Sequence, residues 1–183
     1  MPFVKTEFEG LMIFEPRVFN DSRGYFYEAY NKSVFDAEGL SFEFVQDNQS
    51  NSSYGVIRGL HFQKPPYSQT KLVRVLWGKI LDVVVDLRQS SATFGKVFSI
   101  EISSENNKQL LIPKGFAHGF SVLSETATIL YKCDAFYNKE SERGIIYNDL
   151  DLAIDWKIPA EAAIVSEKDM VLPLFKDCKD YFQ

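Results

Sequence analysis

Lys71-Leu72-Val73-Arg74-Val75-Leu76-Trp77-Gly78-Lys79-Ile80-Leu81-Asp82-Val83-Val84-Val85-Asp86-Leu87-Arg88 is the stretch that decides the fold class. Two runs rich in β-branched and aliphatic residues meet at a single glycine, and this pattern predicts a hairpin folded at Gly78. Alternation along the second run puts Leu81, Val83, Val85 and Leu87 on one face, and Asp82 and Asp86 on the other with Ile80 and Val84. Lys71 is in phase with Val73 and Val75. Two readings of it stand open: an ammonium aimed along a largely apolar surface, or one reaching outward to water.

Just upstream, Val56-Ile57-Arg58-Gly59-Leu60-His61-Phe62-Gln63 holds one of only two histidines in the chain, and Pro113-Lys114-Gly115-Phe116-Ala117-His118-Gly119-Phe120 holds the other. Both segments read as buried strands or strand ends, so each imidazole sits in an apolar wall. Either it is a core histidine satisfied by two hydrogen bonds or it belongs to a site, and the flanking glycines permit close approach of backbone or ligand. Arg58 and His61 lie three residues apart and point to opposite faces of an unbroken strand. A bulge at Gly59 would turn both toward one pocket.

Working outward, residues 11–30 read as two short strands around the turn Asn20-Asp21-Ser22-Arg23-Gly24, and Asn31 to Glu38 as a short helix closed by Gly39. Gln46 to Ser53 is either a solvated polar loop or a strand, and as a strand it would put the amides of Gln46 and Asn48 on one face. Lys64 to Gln69 carries two prolines and is expected to be a surface loop. Phe94 to Ile102, Gln109 to Pro113, Gly119 to Leu123 and Ala127 to Phe136 continue the series of short strands. Glu142-Arg143-Gly144 and Asn148 to Asp151 read as turns, and Ser166 to Gln183 as a terminal lid or helix. Regular short strands without crossover helices predict an antiparallel sandwich or small barrel.

Composition agrees with that class. The 183 residues include 16 Phe and 9 Tyr and are 45% hydrophobic, enough for one domain with a sizeable core. A net charge of −5 gives no general attraction for nucleic acid or an anionic membrane, while leaving room for a local basic pocket. Without a long apolar run the chain is expected to be a cytoplasmic protein, with Cys133 and Cys178 as reduced thiols.

Pro113-Lys114-Gly115-Phe116-Ala117-His118 resembles the second motif of cupin barrels, although the place where several metal-binding cupins carry a His-x-His pair here holds His61-Phe62-Gln63. Two histidines are too few ligands for a metal centre, so the barrel is expected to be free of metal and cofactor and its pocket to work with protons. Phe19-Asn20-Asp21-Ser22-Arg23-Gly24-Tyr25-Phe26, Gln46 to Ser50, Gly55 to Gln63, Lys71 to Arg74 and Asp82 to Arg88 together resemble, in that order, the dTDP-4-dehydrorhamnose 3,5-epimerases. Ile112 to Phe120, Tyr131-Lys132-Cys133, Tyr137, Asn148-Asp149 and Ser166 to Asp169 extend the likeness, which covers about Phe14 to Pro173. Tyr147 stands where the family often has Trp, and Ala92 where it often has Pro.

The resemblance implies an all-β, cupin-like antiparallel jelly-roll β-barrel with short helices in the N-terminal region and at the C-terminus, and residues 1–183 as a single epimerase domain. It implies inversion of C3 and C5 in dTDP-4-dehydro-6-deoxy-D-glucose, giving dTDP-4-dehydro-L-rhamnose for dTDP-L-rhamnose biosynthesis. By the same resemblance His61 is the base, Asp169 its partner, Tyr131 the acid on the opposite face, and Lys71 the charge at the developing enolate oxygen. Arg23, Arg58 and Lys168 meet the nucleotide diphosphate and sugar; Phe26, Glu28, Gln46, Asn48, His118 and Glu142 complete the contacts, and Tyr137 stacks on thymine. The family also implies a homodimer in which N-terminal strands, and with them Arg23 and Glu28, serve the neighbouring subunit's site. A single-centre 3-epimerase or ketoisomerase, a non-catalytic sugar-nucleotide-binding cupin and a metal-dependent cupin oxygenase are the competing readings.

Overall fold

The computed structural model describes residues 2–183. Along the chain it forms β1 (Phe3–Lys5), β2 (Met12–Phe14), β3 (Phe19–Asp21), β4 (Gly24–Phe26), helix α1 (Lys32–Ala37), β5 (Gln46–Ser53), β6 (Ile57–Gln63), β7 (Lys71–Trp77), β8 (Lys79–Asp86), β9 (Val97–Ser103), β10 (Gln109–Ile112), β11 (Phe116–Val122), β12 (Thr126–Cys133), β13 (Glu142–Gly144) and helix α2 (Glu167–Met170). Six strands make one sheet in the order β1-β2-β10-β7-β12-β5, five make a second in the order β13-β6-β11-β8-β9, and β3 and β4 pair only with each other. All pairing between these strands is antiparallel.

Val73, Val75, Leu110, Ile112 and Ile129 of the first sheet share one buried cluster with Ile80, Val84, Ile102, Phe116 and Phe120 of the second. The sheets therefore face each other across one core, within the antiparallel sandwich or small barrel that the short, regular strands predicted. Neither outer face is bare. On the six-stranded sheet Phe14, Leu72 and Leu111 pack beneath Phe35 of α1. On the five-stranded sheet Leu81, Val83, Val85 and Leu87 are covered by Ile145, Leu152 and Trp156, with Phe175 and Phe182 from the chain that follows the last strand. Burial of each such side chain contributes about 1.5–3 kcal/mol. From Ile80 to Asp86, β8 is buried on both faces.

The hairpin expected at Gly78 does not form. β7 lies between β10 and β12, while β8 lies between β11 and β9, so Gly78 is a corner at which the chain leaves one sheet for the other. Its φ of +80°, and the 2.1 Å that would separate an added Cβ from the Thr126 carbonyl oxygen, require glycine there. Alternation assigns faces but not neighbours, and apolar residues on both sides of β8 demand cover that either topology could supply. Two smaller expectations are also corrected. Glu142–Gly144 is a strand paired with Gln63, Phe62 and His61 of β6, not a turn. The terminal stretch is not one helix: α2 spans four residues and the remainder is irregular apart from a 3₁₀ turn at Phe175–Asp177. The Asn31–Glu38 helix is present as expected, with the Asn31 side chain accepting from the Ser33 N–H at 3.1 Å.

The bulge at Gly59 is present. His118 faces His61 across the β11–β6 ladder and Phe120 faces Arg58, so β6 carries one more residue than β11 over that interval. Gly59 has φ +116°, and an added Cβ would lie 2.6 Å from Gly119 Cα and 2.7 Å from the His118 carbonyl oxygen. Gly59→Ala is therefore expected to cost roughly 2–4 kcal/mol in urea unfolding. A loss below about 0.5 kcal/mol would show that the ladder does not need the bulge.

Candidate active site

One cavity of about 580 Å³ opens at the end of the barrel where β6, β7 and β12 bring His61, Lys71 and Tyr131. The bulge puts Arg58 and His61 on this cavity together, and β11 adds His118. β13 contributes Glu142, β5 contributes Asn48, and α2 closes the rim with Lys168 and Asp169. His61 and His118 belong to the five-stranded sheet and Lys71 and Tyr131 to the six-stranded one, so the two pairs stand on opposing walls.

Each histidine holds a carboxylate. His61 Nε2 donates to Asp169 Oδ1 at 2.7 Å, which leaves Nδ1 as its unoccupied nitrogen. Asp169 is fixed in turn: its Oδ2 accepts from the Gly59 N–H at 3.3 Å, and its own N–H donates to the Ser166 hydroxyl that caps α2. Burial pushes the Asp169 carboxyl up, but the His61 hydrogen bond and charge, with Gly59 and Ser166, outweigh it and hold the group below the usual carboxylate range. Deeper in the wall, His118 Nε2 donates to Asp82 Oδ1 at 2.6 Å, both side chains being almost fully buried.

On the opposing wall the Lys71 ammonium lies 5.9 Å from the centroid of the Tyr131 ring. Burial pulls this ammonium below the ordinary lysine range, while the charges of Asp82 and Glu142 act against the shift. The inward reading of Lys71 is the one realised. Burial likewise raises the Tyr131 phenol, opposed by the charge of Arg58, so the phenol keeps its proton near neutrality. Behind both, burial pushes the Cys133 thiol up to about 11, which makes it a neutral packing group.

At the rim, the Tyr137 phenol donates to Glu142 Oε2 at 3.0 Å, and Lys168 Nζ lies 2.6 Å from the same oxygen. Gln46 and Asn48 do share a face of a strand, yet their amides serve each other and the rim. Gln46 Nε2 donates to Asn48 Oδ1 at 2.9 Å, and Gln46 Oε1 accepts from the Tyr137 N–H at 3.0 Å. Gln46 thus stands behind the rim and does not line the cavity. Arg23, Phe26 and Glu28 are not near it either: within one chain they sit on or beside the β3–β4 hairpin, where Arg23 pairs with Asp21 and Glu28 accepts from Asn31. The other expected site residues all line the one cavity.

Sequence reasoning missed two groups that shape the site. Asp82 carries the signal that could have found it, an acid in phase with Ile80 and Val84 on a buried face, because a buried carboxylate demands a partner. Gln63 carries none. Its amide donates to the Tyr67 and Phe136 carbonyls and accepts from the Asn138 N–H at 2.6 Å, pinning the Tyr137 loop. Among the described residues, no group of three or more His, Cys, Asp and Glu side chains converges as a metal ion would require.

Comparison with known proteins supplies an independent line. A family model described as dTDP-4-dehydrorhamnose 3,5-epimerase matches residues 5–177. A dTDP-4-dehydrorhamnose 3,5-epimerase of Shigella flexneri is 50% identical over 183 residues, covering 100% of this chain and 99% of its own. The crystal structure of the corresponding enzyme from Elizabethkingia anophelis superposes with a TM-score of 0.92 at 57% identity, covering 98% of each chain. A dTDP-6-deoxy-D-glucose-3,5-epimerase from Legionella pneumophila, solved in complex with dTDP-4-keto-L-rhamnose, gives a TM-score of 0.91 at 45% identity over 96% of this chain and 93% of its own. The antiparallel, mostly β barrel with few short helices is thus the cupin-type fold of these structures.

Proposed function

The chain belongs to the dTDP-4-dehydrorhamnose 3,5-epimerase family, an isomerase of dTDP-rhamnose biosynthesis, and from that premise we infer how its own residues invert two carbon centres. Membership sets aside the non-catalytic reading, and the exchange experiment below decides between one inversion and two. In a 4-keto sugar the hydrogens on C3 and C5 are both adjacent to the carbonyl, so each leaves as a proton once the enolate is stabilised. Inversion then needs a base on one face of the ring and an acid on the other.

The observation that carries this reading is the division of labour between the two sheets. His61, oriented by Asp169, stands on one wall and Tyr131 on the other, with Lys71 beside the phenol. In the proposed cycle His61 Nδ1 takes the proton from C3 or C5, and the electron pair moves onto the C4 oxygen, where the Lys71 ammonium meets it. Tyr131 delivers a proton to the same carbon from the opposite side. Each inversion leaves an imidazolium and a phenolate, and proton exchange with solvent restores both before the second centre reacts. The charge of Arg58 that eases ionisation of Tyr131 stabilises this phenolate.

Arg58 and Lys168 are proposed to hold the diphosphate, Tyr137 to stack on thymine, and Asn48, His118 and Glu142 to complete recognition of the dTDP-sugar, with Gln46 holding Asn48 and the Tyr137 loop from behind the rim. Relatives bear on the ligand class, one of them having been solved with dTDP-4-keto-L-rhamnose. We take residues 1–183 as one epimerase domain, since the cavity draws on residues from Asn48 to Asp169. The isolated β3–β4 hairpin supports a homodimer: Phe19, Tyr25 and Phe26 are 49%, 61% and 67% exposed, and two strands alone are marginally stable in water. Seating this hairpin on a second copy would bring Arg23, Phe26 and Glu28 to that copy's cavity. No helix is long and apolar enough to cross a membrane. Sugar nucleotides are assembled from cytoplasmic nucleoside triphosphates, which supports a cytoplasmic location.

A proton NMR time course of dTDP-4-keto-6-deoxyglucose with the enzyme in D₂O tests the whole scheme. The C3 and C5 proton signals are expected to disappear as epimerised product accumulates. Exchange confined to C3 would limit this chain to a single inversion.

A further inference from the structure

A second, much smaller cavity of about 10 Å³ adjoins the first, with room for about one water. Phe62, Gln63, Gln69 and Lys71 line both, so the small cavity lies against the wall that carries the lysine. Ser68, the corner between β10 and β11 and the side chain of Phe182 complete its lining. Phe182 falls beyond residues 5–177, the span that the family model matches. Its place is nonetheless fixed by backbone: its N–H donates to the Leu87 carbonyl at 3.0 Å, and its carbonyl accepts from the Gln89 N–H at 2.7 Å. Two residues earlier, Asp180 Oδ2 accepts from Arg143 Nε at 2.7 Å and ties the same segment to β13. The Phe182 ring itself packs on Phe62, with centroids 6.0 Å apart.

The amides bordering the small cavity are already engaged, Gln63 with the Phe136 carbonyl and the Asn138 N–H, and Gln69 with the Ala135 carbonyl. Resting on the reading above, in which Lys71 meets the enolate oxygen, we propose that Phe182 is a positioning residue for the reaction. Its ring closes the barrel behind Lys71 and keeps water off the ammonium on the side away from the sugar. A fixed charge in a dry wall stabilises a developing oxyanion more strongly than one that solvent reaches and screens. Burial is what draws the Lys71 ammonium below the ordinary lysine range, so water entering from behind would undo the setting in which it works. Phe182 touches no substrate. It acts through Lys71, and its loss slows enolate formation without weakening nucleotide binding.

Phe182→Ala removes the ring and leaves the backbone pairing and the Asp180 contact in place. In steady-state kinetics with dTDP-4-keto-6-deoxyglucose it is expected to lower kcat about tenfold with KM within about twofold of the parent. Deuterium exchange at C3 and C5 and inversion should fall together, because both follow the enolate. Phe182→Leu, which still fills the space with apolar atoms, should keep kcat within about twofold. Phe182→Gln fills it with a polar side chain and should lose as much as Phe182→Ala, which it replaces if that variant does not fold. In a Lys71→Met background the effect of Phe182→Ala on kcat should shrink below about twofold, because the group it acts through is gone. Parental kcat in Phe182→Ala or Phe182→Gln, an equal loss in Phe182→Leu, or a full effect in the Lys71→Met background would overturn the proposal. Parental turnover in Lys71→Met alone would overturn the reading of Lys71 on which it rests, an outcome distinct from these.

Discussion

His61→Asn is expected to bind dTDP as the parent protein does and to lose exchange at C3 and C5 together, with turnover down on the order of 10³-fold. The substituted amide fills much of the imidazole's space and retains an N–H to offer Asp169, which now engages His61 at 2.7 Å. What it lacks is a nitrogen able to take a proton near neutral pH. One variant should silence both centres because one base serves them. Deuterium uptake in D₂O and dTDP affinity, measured on the same preparation, make the comparison. Near-parental uptake at either carbon would remove His61 from the mechanism, while lost affinity with uptake intact at saturation would make it a binding group.

Tyr131→Phe should give a different signature: substantial deuterium uptake with inversion reduced by about 10²-fold or more. Only the phenol oxygen is deleted, and the ring keeps its place between Asn48 and Val73 on the neighbouring strands. His61 remains on the opposing sheet with Asp169 behind it. It can take a proton, exchange it with solvent and return deuterium to the same face of the sugar, restoring the starting configuration. Uptake and inversion, coupled in the parent, come apart in the variant. Inversion of both carbons at the parental rate would mean that another donor, with Tyr137 or a bound water next in line, performs the acid's role.

Much of this site was legible because the two-residue period of a strand decides which way a side chain points. The period put Lys71 in phase with Val73 and Val75 but left its direction open, and the fold turns it into the cavity; the conflict between Arg58 and His61, once the family likeness assigned both to one pocket, pointed to the bulge at Gly59. What the period cannot give is the identity of the neighbouring strand. β7 and β8 looked like a hairpin and belong to different sheets. Glu142–Gly144 is too short to show a period, so its pairing with β6 came from the fold alone. The two His–Asp pairs join residues far apart in the chain, 61 with 169 and 82 with 118. Asp169 was found by its likeness to a family motif, whereas Asp82 was visible only as a charge on an apolar face.

All strands of the barrel are complete by Gly144, yet the carboxylate that orients His61 belongs to α2 beyond them. During synthesis the chain emerges N-terminal end first, so both sheets can form on the ribosome while the imidazole still lacks its partner. The base is armed only when the segment from Ser166 onward arrives and Asp169 caps the Gly59 N–H. A nascent chain stalled short of that point lacks Lys168 together with Asp169, and Phe175 and Phe182 with them. The last residues to be made thus supply at one stroke the proposed diphosphate contact, the carboxylate that orients the base and part of the cover over the sheet that carries it.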